Sequence, residues 1–238
     1  DIDNYKVAAE FLESKGYYVM RMGVHVKKKF VTNSNKIIDY ANIEKFKSPF
    51  MDMYIAYVCS LCITSGPGYD AVPNFLFRKP MLFSNSTPIG IFPSFIKQSI
   101  TVPKKYFSVQ EKKYIPFNDM LTRGFGFFTL SSELSNNNIK VVENSSIEIL
   151  EATKELLDLM DNNKVKQTKE IITEKLLWEA IRKAAKKNLI ENNMLYQCFI
   201  KNSKIRKKIL LQELEKYNSI GNISHSFIQL NRELFSGL

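Results

Sequence analysis

The sequence has few of the residues that form metal sites or disulfide frameworks. Only three cysteines and two histidines occur among its 238 residues. Three cysteines cannot build a disulfide framework, and their apolar surroundings suit reduced thiols. Cys59 and Cys62 have the spacing of a redox or zinc motif, but no second pair of ligands accompanies them. Two small buried hydrophobic side chains are therefore the preferred interpretation. We expect no metal and no other cofactor.

Long apolar runs and internal repeats are also missing. No apolar stretch reaches the roughly 20 residues that a membrane-spanning helix needs. The polar start of the chain, at residues 1–4, lacks the basic segment that opens a signal peptide. Nine glycines and eight prolines exclude a collagen-like chain. We expect a cytoplasmic protein, and a peripheral position at the inner face of the membrane stays open.

Basic residues exceed acidic ones, which raises the question of an anionic partner. The chain has 34 lysines and arginines against 24 acidic residues, and its net charge is +10. The excess is shared equally between residues 1–150 and 151–238, so no separate basic arm is present. An anionic ligand or an anionic membrane surface fits this distribution. We expect no nucleic-acid partner.

Strand and helix patterns alternate along the first two thirds of the chain. Helical patterns separate most of the strand patterns, whereas residues 86–117 have no regular pattern. Strands separated by helices of this length indicate βαβ units. The fold class is therefore α/β, with a doubly wound, mostly parallel, Rossmann-like sheet. The predicted strands cover residues 17–22, 37–41, 61–64, 80–85 and 139–143.

The last third of the chain shows helical patterns only. A polar segment at 161–164 marks the change, and no strand pattern follows it. We predict a Rossmann-like domain over residues 1–161 and a helical C-terminal region over 162–238. The predicted helices of this region cover 167–188, 203–217 and part of 220–234.

The segment with the clearest chemical content is a glycine-rich turn between a predicted strand and a predicted helix at 69–77. Gly66 and Gly68 allow backbone N–H groups to approach an anion, and Thr64 and Ser65 add hydroxyl donors. The following helix adds a positive dipole end. The turn matches neither a Walker A motif nor Gly-x-Gly-x-x-Gly. A turn that only reverses the chain explains the same residues, and Asp70 would then cap the helix.

Other polar residues follow strands that belong to the same predicted sheet. Arg21 and Gly23 follow one strand, and Asn85 ends another. Because the carboxyl ends of parallel strands meet at one edge, we expect these residues to share a cleft with Ser65. The guanidinium of Arg21 suits a phosphate, although an ion pair with Asp39 or Asp52 is the alternative. We assign no catalytic residue.

Several segments together resemble a family of bacterial glycosyltransferases that are linked to surface-carbohydrate synthesis. The resemblance covers most of residues 1–160 and returns near the end of the chain. It is carried by residues 18–23, 37–42, 50–55, 64–73, 80–85, 141–145 and 223–234.

This resemblance implies one half of the GT-B architecture, in which the carboxyl-terminal domain holds a nucleotide-diphosphate sugar without a metal. A more distant resemblance to fucosyltransferases implies that Ser65, Gly66 and Gly68 hold the diphosphate. On the same analogy, Asp70 or Asn85 reaches the ribose or base. The implied donor site comprises Arg21, Gly23, Thr64, Ser65, Gly66, Gly68, Tyr69, Asp70 and Asn85.

Members of this family carry a His-x-Arg-like loop and a whole amino-terminal Rossmann domain before the position where this chain starts. The resemblance therefore implies an amino-terminally truncated donor half, inactive alone, whose partners are that domain and a glycan or lipid-linked acceptor. A nucleotide-sugar epimerase of the same architecture is the enzymatic alternative. A non-catalytic nucleotide-binding or interaction module is the other alternative.

Overall fold

The computed structural model describes residues 1–66, 68–90, 98–161, 168–190 and 222–238. Its strands are β1 Val19–Met20, β2 Ile37–Ile38, β3 Cys62–Thr64, β4 Met81–Ser86, β5 Ser99–Pro103, β6 Lys105–Ser108, β7 Lys113–Tyr114, β8 Ile139–Val142 and β9 Asn222–Ile223. Its α-helices are α1 Lys6–Ser14, α2 Pro49–Val58, α3 Phe117–Thr122, α4 Ser131–Asn136, α5 Ser146–Met160, α6 Thr168–Ile190 and α7 His225–Leu230. A π-helix covers Val72–Leu76, and short 3₁₀ helices cover Ile2–Tyr5, Tyr40–Asn42, Glu44–Phe46, Phe125–Phe127 and Arg232–Phe235.

The strands form two parallel sheets and one antiparallel sheet. The largest has the order β3-β4-β5-β9 with parallel pairing throughout, and β1 and β2 form a separate parallel pair. In the larger sheet Thr64 lies opposite Phe83, so the ends of β3 and β4 are neighbours. The predicted α/β class with parallel pairing is confirmed.

The third sheet corrects two predictions. The strand predicted at 139–143 is present as β8, but it pairs antiparallel with β6, which also pairs antiparallel with β7. β6 and β7, like β5 of the larger parallel sheet, lie in the stretch at 86–117 that was predicted to be irregular. β6 and β7 are only four and two residues long. The prolines on either side of them weaken the strand pattern in the sequence. The residues of a single strand do not specify whether its neighbour runs parallel or antiparallel to it.

A third correction concerns the end of the chain, where only helices were predicted. β9 pairs with β5 through Ile100 opposite Asn222 and Thr101 opposite Ile223. The helix predicted at 167–188 is confirmed as α6, and α7 lies within the third predicted segment. The helix predicted at 203–217 lies outside the described residues.

The main core contains a group of packed aromatic rings and includes side chains from distant parts of the sequence. Phe117 packs edge-to-face against Phe235 with ring centroids 5.2 Å apart, and it stacks on Phe227 at 6.4 Å. Leu82 from β4 and Leu156 from α5 are fully buried in the same cluster. Residues on both sides of position 161 thus share one core, and the division of the chain at that position stays a prediction.

Local signals set the starts of the helices that flank the parallel strands. Ser145 caps α5 through a hydrogen bond from the Glu148 amide, and the Glu148 carboxylate accepts from the Ser145 amide in return. At the start of α2 the Ser48 hydroxyl accepts from the Met51 amide, and Pro49 occupies the first helical position. Both starts are therefore set by residues within the first turn of each helix.

None of the helices in the described ranges combines the length and the apolar composition needed to cross a bilayer.

Candidate functional site

The loops that follow β1 and β2 surround an open depression of about 660 Å³. Because these two strands are parallel, both loops leave the same edge of the sheet. The Ala41 amide donates to the Arg21 carbonyl at 3.0 Å, and the Lys47 ammonium lies 3.4 Å from the carbonyls of Val24 and Ala41. These contacts join the two loops. The lining residues are Val24, His25, Val26, Ala41, Asn42, Glu44 and Lys47.

Arg21 lies behind the residues that line this depression and stabilises the loops that carry them. Its guanidinium donates to Asp39 at 3.0 Å and to the Lys28 carbonyl at 3.2 Å, and both side chains of the ion pair are largely buried. Asp39 also accepts from the Phe30 amide and from Asn42. Burial opposes the ionisation of Asp39, but these donors outweigh it and hold its pKa below the ordinary value. Of the two roles considered for Arg21, the ion pair with Asp39 is present.

Gly23 occupies a position that requires glycine. Its φ is +150°, and a Cβ atom there would lie 3.0 Å from Cγ1 of Val26. The glycine therefore lets the loop after β1 turn back against itself at the rim of the depression.

Two backbone amides of the glycine-rich turn donate hydrogen bonds to side chains of the same turn. The Gly66 amide donates to the Thr64 hydroxyl at 2.9 Å, and the Gly68 amide donates to the Asp70 carboxylate at 2.8 Å. Ser65, Gly66 and Gly68 are exposed, and an added Cβ at either glycine would meet nothing within 4 Å. Among the described residues, the Ser65 hydroxyl has no hydrogen-bond partner. The turn is thus held from within and presents Ser65 to solvent.

The helix predicted at 69–77 is shorter than predicted. Only Val72–Leu76 forms a helical segment, and it is a π-helix of five residues. Asp70 therefore stabilises the turn through Gly68 and does not cap a longer helix. Such a short segment adds little dipole to an anion site.

Tyr69 connects the glycine-rich turn to the start of α2. Its hydroxyl donates to the Asp52 carbonyl at 2.6 Å, and burial raises its pKa well above the ordinary value. Just before the start of α2, the Ser48 amide lies 3.4 Å from the hydroxyl of Tyr40, which follows β2. The first turn of α2 thus joins the segment after β2 to the glycine-rich turn.

Asn85 lies at the end of β4 but its side chain is buried. Its φ is +54°, and its amide and side-chain oxygen form reciprocal hydrogen bonds with Asn144 at 2.5 and 2.7 Å. Its side-chain nitrogen donates to the Tyr5 hydroxyl at 3.1 Å. The structure therefore presents Ser65, Gly66, Gly68, Tyr69 and Asp70 in one exposed or half-exposed turn, whereas Thr64 is buried. Arg21 and Gly23 follow β1, which belongs to a separate sheet and not, as predicted, to the sheet of β3 and β4. The buried side chain of Asn85 instead forms hydrogen bonds with Asn144 and Tyr5.

The residues that line the depression were mostly missed by sequence reasoning. The predicted donor site includes none of His25, Asn42, Glu44 and Lys47. The available signal was the position of Lys47, immediately before the Ser48-Pro49 helix start and after a predicted strand. A polar loop between a parallel strand and a helix start lies at the carboxyl edge of the sheet.

The cysteine pair shows no sign of redox activation. Burial raises the pKa of Cys62 to about 12 and raises that of Cys59 as well. Both thiols are therefore protonated at neutral pH and poor nucleophiles. Within the described ranges, no three His, Cys, Asp or Glu side chains cluster in a way that would hold a metal ion.

No protein family, curated protein or solved structure matches the chain in the comparisons with known proteins.

Proposed function

We propose that the chain is the donor-binding half of a metal-independent glycosyltransferase with a doubly wound, Rossmann-like domain of the GT-B type. It binds a nucleotide-diphosphate sugar in the depression after β1 and β2, and the sugar passes to a glycan or lipid-linked acceptor held by an amino-terminal half. The observation that carries the proposal is an open cavity at the carboxyl edge of a parallel strand pair, joined through α2 to an exposed glycine-rich turn.

The size and the polar groups of the depression suit such a ligand. Its volume of about 660 Å³ lies within the range of roughly 300–1,000 Å³ that is typical of ligand pockets. Lys47 lines it from the loop after β2, and Lys27 and Lys29 are exposed in the loop after β1 with no ion pair among the described residues. Their charge favours a diphosphate. Glu44 and Asn42 offer acceptors for the hydroxyl groups of a ribose or a sugar.

The proposed reaction needs charge stabilisation from this half. The bond between the anomeric carbon and the diphosphate oxygen breaks, and the acceptor oxygen bonds to the anomeric carbon. The acceptor's proton passes to a base from the amino-terminal half. The negative charge that develops on the leaving diphosphate is stabilised by Lys47 and by the neighbouring lysines.

Calorimetric titration with UDP and GDP tests the depression as the nucleotide site. The Lys47→Gln variant keeps an N–H donor for the Val24 and Ala41 carbonyls but removes the charge. We expect at least one of the two nucleotides to bind, and the variant to bind it about tenfold more weakly. Lys140→Gln, which changes an exposed lysine of β8, is the control and should bind as the parent does. Absence of binding to both nucleotides, or equal affinity of both variants, contradicts the proposal.

A second titration tests the glycine-rich turn separately. The double variant Ser65→Ala, Gly68→Val removes the exposed hydroxyl and places a branched side chain at a φ of +104°. We expect weaker nucleotide binding if the turn contacts the diphosphate. Unchanged affinity would show that the turn does not contact the nucleotide, and the proposed site would then consist of the depression only.

A non-catalytic interaction module is the second candidate. It is favoured by the internal hydrogen bonds of Gly66 and Gly68 and by the ion pair of Arg21, since all three serve the protein's own structure. Only the enzyme needs an amino-terminal Rossmann half, so the two candidates are compared with that half supplied. Sugar transfer to an acceptor by the combined halves supports the enzyme, and nucleotide binding without transfer supports the module.

A further inference from the structure

Helix α2 is apolar on both of its sides, although only one side packs against the protein. Ile55 and Ala56 are buried, whereas the opposite side of the helix is exposed, with Phe50 at 74% and Tyr57 at 60%. We call this side the aromatic face; its residues are Phe50, Met53, Tyr54, Tyr57 and Val58. Their spacing is that of one continuous helical stripe. A helix that is apolar on all sides is normally covered on all sides.

The aromatic face is uncharged and has cations at its ends. Asp52 is the only charged residue of α2, and its carbonyl accepts from Tyr69 on the protein side. Lys79 lies over the Tyr57 ring with its ammonium 5.7 Å from the centroid. At the other end, Lys45 lies over the exposed ring of Phe46 at the same distance. Arg78 is also exposed beside Lys79.

We propose that the aromatic face is a docking surface for an anionic lipid bilayer. Phe50, Met53 and the two tyrosines would enter the boundary between headgroups and acyl chains, with the axis of α2 parallel to the membrane. The tyrosine hydroxyls stay hydrated at this depth. The flanking Lys45, Arg78 and Lys79 contact lipid phosphates, in agreement with the net charge of +10.

The composition of the face favours lipid over protein. Protein interfaces contain about one hydrogen bond per 100–200 Å², and this face offers only two tyrosine hydroxyls as side-chain hydrogen-bonding groups. A symmetric dimer through the face would bring its basic border against that of a second copy, and like charges repel. Lipid headgroups supply the opposite charge.

Membrane binding would place the depression beside the bilayer. Lys47 lines the depression and lies two residues before the start of α2 in the sequence. This arrangement suits a lipid-linked acceptor. The inference itself does not depend on nucleotide binding, because it concerns a different surface and is measured without a nucleotide.

Co-sedimentation with vesicles tests the inference. The vesicles contain phosphatidylcholine either alone or with phosphatidylglycerol at about 3:1. We expect binding to the anionic vesicles, and a partition coefficient at least about tenfold lower for Phe50→Ser, Tyr54→Ser, Tyr57→Ser. Tyr18→Ser is the matched control, because Tyr18 is 70% exposed and precedes β1. Lys45→Gln, Lys79→Gln should weaken binding to the anionic vesicles by about tenfold.

A conservative variant tests the same face if the triple variant does not fold. Tyr54→Trp keeps an aromatic ring, and the only other tryptophan, Trp178, is buried. Anionic vesicles should shift the fluorescence of this variant to the blue. The inference is overturned by absence of this shift or by equal binding of the triple variant and its parent. It is also overturned by a lipid-free dimer that the triple variant dissociates.

Discussion

Asn85 shows how a residue can look like a ligand-binding group and serve the protein's own structure. It is the last residue but one of β4, with a φ of +54° that few side chains tolerate, and it exchanges two hydrogen bonds with Asn144. Asn144 also donates to the Pro103 carbonyl at the end of β5. The pair therefore joins the carboxyl ends of two neighbouring strands to the start of α5.

Replacement of Asn85 by alanine should destabilise the protein. The variant loses both side-chain hydrogen bonds and leaves the Asn144 amide without its acceptor, while the strained φ persists. We expect the free energy of unfolding to fall by about 2–4 kcal/mol. Urea unfolding measures it. Asn138→Ala is the matched control, because Asn138 also has a positive φ, of +56°, but is exposed; it should lose about 1 kcal/mol. Equal losses for the two variants would contradict the structural role of Asn85.

Glu148 connects three elements that are distant in the sequence. It completes the capping box of α5, pairs with Lys105 of β6 at 2.9 Å, and accepts from Asn231 beyond α7 at 2.8 Å. Burial opposes its ionisation, but the Ser145 amide, Lys105 and Asn231 outweigh this effect and lower its pKa. A carboxylate at this position therefore holds the antiparallel sheet and the C-terminal helix to α5.

The Glu148→Gln variant should lose about 2–3 kcal/mol of unfolding free energy, because a charged and largely buried Lys105 loses its partner. Glu151→Gln removes the exposed ion pair with Lys154, and it should change stability by at most about 1 kcal/mol. Because the pKa of Glu148 is lowered, its contribution is present above the ordinary value of 4.5 and is lost as the pH falls through the folded-state value. Urea unfolding of both variants at neutral and acidic pH measures this. A parent and a Glu148→Gln variant with the same acid sensitivity would refute it.

Local chemistry explains which elements the sequence predicted and which it did not. The starts of α2 and α5 follow from capping residues within one turn, so a local sequence pattern encodes them. The pairing of β6 with β8 joins residues more than thirty positions apart, from Ser108 to Ile139, and no local pattern encodes it. The glycines at 66 and 68 were recognised as turn residues. The partners of their amides depend on how Thr64 and Asp70 orient, which spacing does not determine.

The C-terminal segment is held to the rest of the molecule by carboxylates from two helices. Glu155 of α5 accepts from the amides of His225 and Ser226, and Glu174 of α6 accepts from the Ile223 amide at 2.9 Å. The imidazole of His225 lies 3.2 Å from the same Glu174 carboxylate. Glu174 thus contacts both β9 and the start of α7. The charge of His225 therefore affects how strongly β9 and α7 are held to the rest of the molecule.

The stability of the whole molecule should depend on the ionisation of His225. The hydrogen bond to Glu174 raises its pKa against the opposing effect of burial, and the charges of Glu174, Glu155 and Glu170 act in the same direction as the hydrogen bond. A raised pKa means that the folded state binds the proton more tightly than the unfolded state. The contribution is therefore complete below the ordinary value of 6.5 and is lost as the pH rises through the folded-state value.

Urea unfolding of the parent at a series of pH values from below 6.5 upward measures this dependence. We expect the parent to lose stability over that range and His225→Gln to lose less, because glutamine keeps a hydrogen-bond donor but cannot titrate. His25→Gln is the matched control, since His25 is the other histidine of the chain and is exposed; it should behave as the parent does. If His225→Gln follows the same pH profile as the parent, the ion pair with Glu174 does not hold the C-terminal segment, and the backbone hydrogen bonds to Glu155 and Glu174 are sufficient.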